Sequence, residues 1–532
     1  MGDSGIAKIY DHRYSEEELK MKNITDMLQM PDRISILTGQ GGSSSGTGDA
    51  EVSLVFEKGQ LDVYLEASDT PVREIVLSFC GLKAGTGAVL SDHWERAYGD
   101  LFWKGKEQCE VMPWYFLEDR KDYCFACGVK VRPGAMCWWE IKGDELVLHL
   151  DVRCGGAGVL LKGRRLLAAS LLMKRYDTKD TFAAAQHFCR CMCQDSCYDN
   201  KPVYGSNNWY YAYGNSSAED ILADTAYLAL LTENISLRPF MVIDDGWQEC
   251  HSSRYNGGPW EKGNRKFGDM RELADKMKRY DVKPGLWFRP LLDSSEQIPA
   301  EWRLFRDPMV LDISVPEVLA HVQKDIRRIK DWGFELVKHD FSTFDLFGKW
   351  GFQMADSLTE EGWHYRDTSR TTAEIIREFY GAIREAAGNM LILGCNCIGH
   401  LGAGLMQLNR TGDDTSGTDW ERTKKMGVNT LAFRMPQHGA FFGVDADCVG
   451  ITEHINWEKN RQWMELLSAS RTPFFVSVKA GSLNKEQEEE LRKAYRRAAE
   501  NKLTAIPIDW KENCVPRKWM TCEGIRNFSW DE

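Results

Sequence analysis

Two short apolar runs in this chain stop abruptly at acids: Met241-Val242-Ile243-Asp244-Asp245-Gly246-Trp247 and Glu335-Leu336-Val337-Lys338-His339-Asp340. Short runs of this kind, rich in aliphatic residues, read as buried strands. They lie in the stretch after Pro202, where strand patterns alternate with amphipathic helical ones, the signature of a parallel α/β fold. In a (β/α)8 TIM barrel the C-terminal strand ends form one face, so acids ending different strands converge on one pocket. A central barrel over residues 204–501 is therefore the expectation.

Its strands are predicted at Asn208 to Tyr213, Phe240 to Asp245, Lys283 to Pro290, Met309 to Ile313, Leu336 to Asp340, Met390 to Asn396, Leu405 to Gly412, and Pro473 to Val478. Helices fit between most of them. Ser217 to Leu231 opens with a Ser cap, and Val315 to Trp332 carries Pro316 in its first turn. Before the barrel, short apolar runs such as Glu51 to Phe56 and Glu145 to Leu150, broken by turn residues, predict an N-terminal β-sandwich over 1–177. Residues 178–203 read as a linking helix and loop, and 502–532 as a short C-terminal β segment after the charged helix that follows Lys485. The chain is thus an α/β multidomain protein, in keeping with a length of 532 residues. Gly39 to Asp49 reads as a flexible loop within the sandwich.

A formal charge of -12 argues against a nucleic-acid partner, which calls for a basic field. The first twenty residues hold no apolar core of signal-peptide length, and no run of about 18 apolar residues marks a membrane span. The reading is a cytoplasmic protein without a membrane partner. Its 16 cysteines are then expected as reduced thiols. The 19 Trp and 18 Tyr supply flat faces of the kind that stack on sugar rings.

The chemistry rests on carboxylates. Asp340, close to Lys338, is the candidate nucleophile, because a nearby ammonium keeps a carboxylate ionised. Asp244 and Asp245 can accept hydrogen bonds from neighbouring sugar hydroxyls. In Arg410-Thr411-Gly412-Asp413-Asp414-Thr415-Ser416-Gly417, Asp413 is the general acid/base, with Asp414 as its rival; spacing alone does not separate them. Two carboxylates flanking a glycosidic bond are the equipment of a glycosidase.

These residues together give the chain a resemblance to the α-galactosidase clan, most closely to glycoside hydrolase family 36 and its raffinose-synthase-like relatives. The matching segments are Asn207 to Gly214, Asp244 to Trp247, Lys283 to Phe288, Arg306 ahead of Asp312, Lys338 with Asp340, the loop Cys395 to Gly404, and the Thr-Gly-Asp at Asp413. The resemblance implies Asp340 as nucleophile and Asp413 as acid/base. It implies Asp244 and Asp245 at the 4- and 6-hydroxyls. Trp247, Trp287, Arg306, Lys338, Arg410, Asp414 and Cys395, or Cys397 with Gly399, complete the sugar site. Asp445 and Asp447 buttress it. The implied activity is retaining hydrolysis of terminal α-galactosides, with no cofactor or metal and a homo-oligomer by analogy. An α-N-acetylgalactosaminidase, a raffinose-synthase-like transglycosylase and a noncatalytic sugar-binding protein remain alternatives. Arg289 departs from the family, which usually has Glu there, and both terminal β regions are short.

Other signals carry competing readings. Cys189 to Cys197 with His187, and Cys124 to Cys127, have metal-ligand chemistry but read as packing. Trp138 and Trp139 read as sandwich core. The segment Ser91 to Trp103, with His93, Trp94, Glu95 and Arg96, either reaches over the barrel mouth or packs one domain on the other.

Overall fold

The computed structural model describes residues 24–39 and 48–532. The first twenty residues, and residues 40–47 of the Gly/Ser loop, lie outside the described residues. Two antiparallel sheets open the fold. One orders Glu51–Glu57, Gln60–Glu66, Leu166–Tyr176, Cys124–Val129, Tyr115–Asp119 and Ala88–Ser91, with Ile24–Asp26 also paired to Leu166–Tyr176. The other orders Arg33–Thr38, Val72–Phe79, Glu145–Asp151, Met136–Lys142 and Met112–Pro113. Alternation sends Leu61, Val63 and Leu65 inward and leaves the residues between them half-buried, as a strand with one covered face requires. Trp139 of the second sheet meets Phe116 of the first at 6.0 Å between ring centres, so the expected core tryptophan joins the two layers. Trp138 stacks instead on His149, at 4.7 Å.

Helix Thr181–Met192 leads out of the sandwich. Asp180 caps it by accepting the Ala183 N–H at 3.0 Å. The cysteines here serve packing: Cys189 is fully buried beside Tyr115, and burial pushes its thiol well up. All 16 cysteines are free thiols.

The barrel strands are β1 (Tyr204–Asn207), β2 (Phe240–Ile243), β3 (Lys283–Phe288), β4 (Leu336–His339), β5 (Leu391–Gly394), β6 (Leu408–Arg410), β7 (Gly443–Asp445), β8 (Cys448–Gly450) and β9 (Phe474–Ser477). They pair in parallel in the order β7-β6-β5-β4-β3-β2-β1-β9-β8. Only Ala446 and Asp447 separate β7 from β8, and Asp447 has a φ of 69°. These two strands are therefore halves of one broken stave, and the ring closes with eight staves.

Two predicted strands differ. Asn208 to Tyr213 is not a strand: the chain leaves β1 at Asn207, whose side chain accepts the Trp209 N–H at 2.8 Å, and coils through Trp209–Ala212 to a left-handed Tyr213. Its aromatic run suits a strand by propensity, but the local hydrogen bond wins. Met309 to Ile313 makes only isolated bridges, Val310 to Leu292 and Leu311 to Arg303, within the β3–β4 connection. The broken stave takes its place in the ring. Helices Ala218–Leu231, capped by Ser217, Pro316–Asp331, with proline in its first turn, and Lys485–Glu500 form as predicted. A three-stranded sheet, Ile506–Pro507, Lys518–Thr521 and Gly524–Asn527, ends the chain. Among the described residues no helix is long and apolar enough to cross a membrane.

Alternation along β4 turns His339 away from Lys338, onto helix Thr372–Ala387, where Phe379 and Tyr380 meet it edge-on at 5.5 and 5.7 Å. Burial lowers the His339 imidazole to about 3. The unfolded chain takes up this proton near pH 6.5 and the folded one does not, so stability falls with pH below that point. Replacing His339 with Leu should make the acid limb of a stability–pH curve shallower by one proton, about 1.4 kcal/mol per pH unit below pH 6. Urea melts from pH 7 to 4.5 check this.

Candidate active site

Asp340 follows β4 directly. Its Oδ1 accepts the Phe341 N–H at 2.7 Å and its Oδ2 the Trp287 Nε1–H at 2.9 Å. Phe341 has a φ of 62°, which turns the chain away so that the carboxylate stands at the strand end. That backbone costs about 1 kcal/mol for a residue with a side chain and marks a site held in place by its surroundings.

Asp244 ends β2. Its Oδ2 accepts from Asn207 Nδ2 and Lys338 Nζ, both at 2.7 Å, and its Oδ1 from the Asp245 N–H at 2.9 Å. Asp245 holds Gln248 Nε2 at 2.7 Å and His251 Nδ1 at 3.2 Å on Oδ1, and Asn256 Nδ2 at 3.2 Å on Oδ2. A carboxylate oxygen accepts about two hydrogen bonds. Oδ1 of Asp244 and Oδ2 of Asp245 therefore each keep one acceptor position, enough for two neighbouring hydroxyls. Burial alone would lower the Lys338 ammonium, but Asp244, Cys395 and Asp340 raise it well above its usual value. Lys338→Met should destabilise the fold by about 3–5 kcal/mol, because it leaves the Asp244 carboxylate buried without its counter-ion. Thermal and urea melts measure that loss.

Arg410, 1% exposed, ends β6. Its NH2 lies 3.2 Å from Asp414 Oδ1 and 3.0 Å from Asp447 Oδ2, and its NH1 3.5 Å from Cys395 Sγ. Asp447 also accepts from Tyr210 Oη, from the Thr415 N–H at 2.8 Å and from Thr415 Oγ1 at 2.9 Å. The Asp447 N–H in turn donates to Asp445 Oδ1 at 3.1 Å. Burial pushes the Asp445 carboxyl up to about 6. Asp445 and Asp447 thus brace the loop 411–415 from behind.

The two rival aspartates are placed differently. Asp413 Oδ1 lies 2.8 Å from Arg96 NH2, and its Oδ2 2.6 Å from Arg422 NH2. Asp414 meets Arg410 and Arg96 through Oδ1, and its side chain is 38% exposed. Cys395, just after β5, meets Arg410 at 3.5 Å and feels the charges of Asp340, Lys338 and Asp414 at the ends of β4 and β6. Burial pushes that thiol well up, so it stays neutral.

Three predicted sugar ligands have their polar groups taken up by protein, and two of them stand back from this cluster. Trp247 is fully buried between Trp260 and Trp332 and donates its N–H to the Trp287 carbonyl at 2.9 Å, so it supports Trp287 from behind. Arg306 donates to the Asp345 carbonyl at 2.7 Å and lies over Trp363, beneath helix Ser342–Phe347. Arg410 turns its fork to protein acids. The departure at Arg289 is compensated: its Nε and NH2 grip Asp345 at 3.1 and 2.5 Å, it lies 4.1 Å over the Phe341 ring, and it also binds Asn256. The charge is matched by Asp345, and Asn256 ties it to Asp245. Sequence reading missed Asp345, Asn256 and Arg422, which come from loops and helix starts with no motif to mark them. The segment 91–103 sits on the barrel mouth through Arg96 and also packs there, with Trp94 buried.

No protein-family model and no curated protein matches the chain. Solved structures do. An α-galactosidase from Thermus thermophilus, solved with p-nitrophenyl α-D-galactopyranoside, superposes with a TM-score of 0.61 at 16% identity over 90% of this chain and 99% of its own. The galactosidase domain of the α-galactosidase–sucrose kinase AgaSK gives 0.59 at 15% identity, covering 88% of this chain and 71% of that one. The family 36 α-galactosidase AgaA of Geobacillus stearothermophilus, solved with raffinose, gives 0.60 at 13% identity, covering 94% and 77%. The chain therefore has the sandwich-and-barrel fold of the family 36 α-galactosidases.

Proposed function

We propose that the protein is a retaining exo-acting α-galactosidase in which Asp340 is the nucleophile and Asp414, rather than Asp413, is the acid/base. The observation that supports this most is the contrast between the two aspartates: Asp414 is half-open, with Oδ1 on Arg410, whereas Asp413 is clamped between two guanidiniums. A proton donor needs an oxygen free to meet the leaving group. Asp413 Oδ2 accepts from Arg422, and its Oδ1 is ion-paired to Arg96.

In the first step Asp340 attacks the anomeric carbon, the bond to the aglycone oxygen breaks, and Asp414 gives that oxygen its proton. In the second, Asp414 takes a proton from water as the water attacks the same carbon and frees Asp340. Two inversions return the original configuration. Asp244 and Asp245 offer their remaining acceptor positions to the 4- and 6-hydroxyls, and Lys338 keeps Asp244 in place. Trp287 orients Asp340.

The test is release of aryl leaving groups from α-galactosides and, in parallel, α-N-acetylgalactosaminides, with the first-formed anomer read by NMR. α-Galactose appearing first supports the reading. β-Galactose first would refute a retaining mechanism, turnover of the acetamido sugar alone would refute the substrate, and no turnover of either would point to a sugar-binding protein.

A further inference from the structure

The sandwich does more than pack on the barrel. The Ala97 N–H donates to the Thr411 carbonyl at 2.9 Å and the Asp413 N–H to the Ala97 carbonyl at 3.0 Å, so the loop pairs with the segment that carries both aspartates. Its root is firmly held: Asp92 takes Arg434 NH2 at 2.7 Å and Gln437 Nε2 at 2.9 Å, and Glu95 takes the Gly351 N–H at 3.0 Å and the Asn396 amide. Arg96 stands between these anchors and is 5% exposed. Its NH2 reaches Asp413 at 2.8 Å, its NH1 lies 4.0 Å from Asp414, and Trp350 covers it at 5.2 Å. Its Nε has no hydrogen-bond partner.

Glu95 Oε1, 3.7 Å from the Arg96 Nε, matches the charge from the sandwich side, but docking alone does not call for the fork to reach Asp413. The backbone pairing, the buried Trp94 and the Asp92 contacts already join the two parts, whereas a buried guanidinium with an unmet N–H carries a desolvation cost of several kcal/mol. That cost makes sense where the charge acts on its neighbours. We propose that Arg96 is a positioning residue of the catalytic centre: the sandwich reaches into the barrel mouth and, by pinning Asp413, aims the Asp414 carboxyl at the glycosidic oxygen. This rests on the reading of Asp414 as the acid. The groups that act on Asp414 are Arg410, Arg96, Lys338, Arg422, Cys395 and Tyr210. Burial would raise its carboxyl, but the four cations hold it below the usual carboxylate range. Without Arg96 it should rise.

Leaving-group dependence tests this, since a dinitrophenyl galactoside departs without a proton and a methyl galactoside or a disaccharide does not. Arg96→Met should lose about 100-fold in kcat on the poor leaving groups and little on the dinitrophenyl substrate, the span of general acid catalysis. The alkaline limb of kcat/KM should move to higher pH. Arg96→Lys, which keeps the charge but not the fork, should recover the limb more than the rate. An equal loss on every leaving group, or an unmoved limb, would overturn the proposal. If Arg96→Met does not fold, the Lys variant carries the leaving-group comparison. If the wild type turns over no α-galactoside, the proposed function fails. Arg96 is then judged by the 13C carboxyl titration of Asp414, assigned by its loss in Asp414→Asn: a higher midpoint in the Arg96 variant supports the positioning role, and an equal one overturns it.

Discussion

Asp340→Asn should remove galactoside turnover, lowering kcat by about 10^4-fold or more, with the fold intact. The size of the loss follows from the lack of a substitute. The neighbouring Cys395 thiol is held neutral by burial, and Asp244 is tied to Lys338, Asn207 and the Asp245 N–H. Asp340 itself donates nothing to the fold beyond its contacts with Trp287 and Phe341, so melting should change little. Steady-state rates on an aryl α-galactoside, with circular dichroism as control, read both. Asp340→Gly supplies the complementary sign: azide entering the vacated space attacks the anomeric carbon once, giving the β-galactosyl azide. A variant that keeps more than about 1% of wild-type turnover would remove Asp340 from the nucleophile role.

Asp414→Ala is the second large effect, about 10^2- to 10^4-fold on substrates that need a protonated leaving group. Azide should rescue a dinitrophenyl galactoside in this variant and give the α-galactosyl azide, because it intercepts the glycosyl-enzyme from the open side. Asp413→Ala should give no azide product. The pH dependence follows the same logic. Burial raises the Asp414 carboxyl, but Arg410, Arg96, Lys338 and Arg422 outweigh it and hold the group below the usual carboxylate range. Its protonated fraction then falls about tenfold per pH unit above that range, so wild-type kcat/KM should decline from the acid side through neutrality. A profile flat to pH 8 would exclude Asp414 as the acid, and an azide product from Asp413→Ala would restore Asp413.

The barrel was legible because β2 and β4 carry their acids in apolar runs that only a strand end explains. The same logic misplaced β1, where Asn207 ends the strand before the aromatic run begins, and picked Met309 to Ile313, whose apolar pattern belongs to a connection. It passed over the stave at Gly443–Gly450, which is too short on each side of Asp447 to show a period. At the site, strand-end acids were visible as residues, but not their partners. Asp413 and Asp414 are adjacent, and what separates them is two arginines, one far away in the chain and one nine residues on. Arg289 looked like a charge reversal because the compensating Asp345 lies in the next strand's helix. Such pairings are set by tertiary placement, which a linear pattern does not encode.

The broken stave has a consequence for durability. Asp447 is at once the hinge between β7 and β8 and the anchor for Tyr210, Thr415 and Arg410. The seam that closes the ring and the brace behind the loop that carries Asp413 and Asp414 are thus one residue. Strands of three residues on either side give that seam few backbone hydrogen bonds, and openings start where such bonds are fewest. Heat that merely unzips the seam disarms the loop, so wear at the closure ends the chemistry while the sandwich and the other staves still stand.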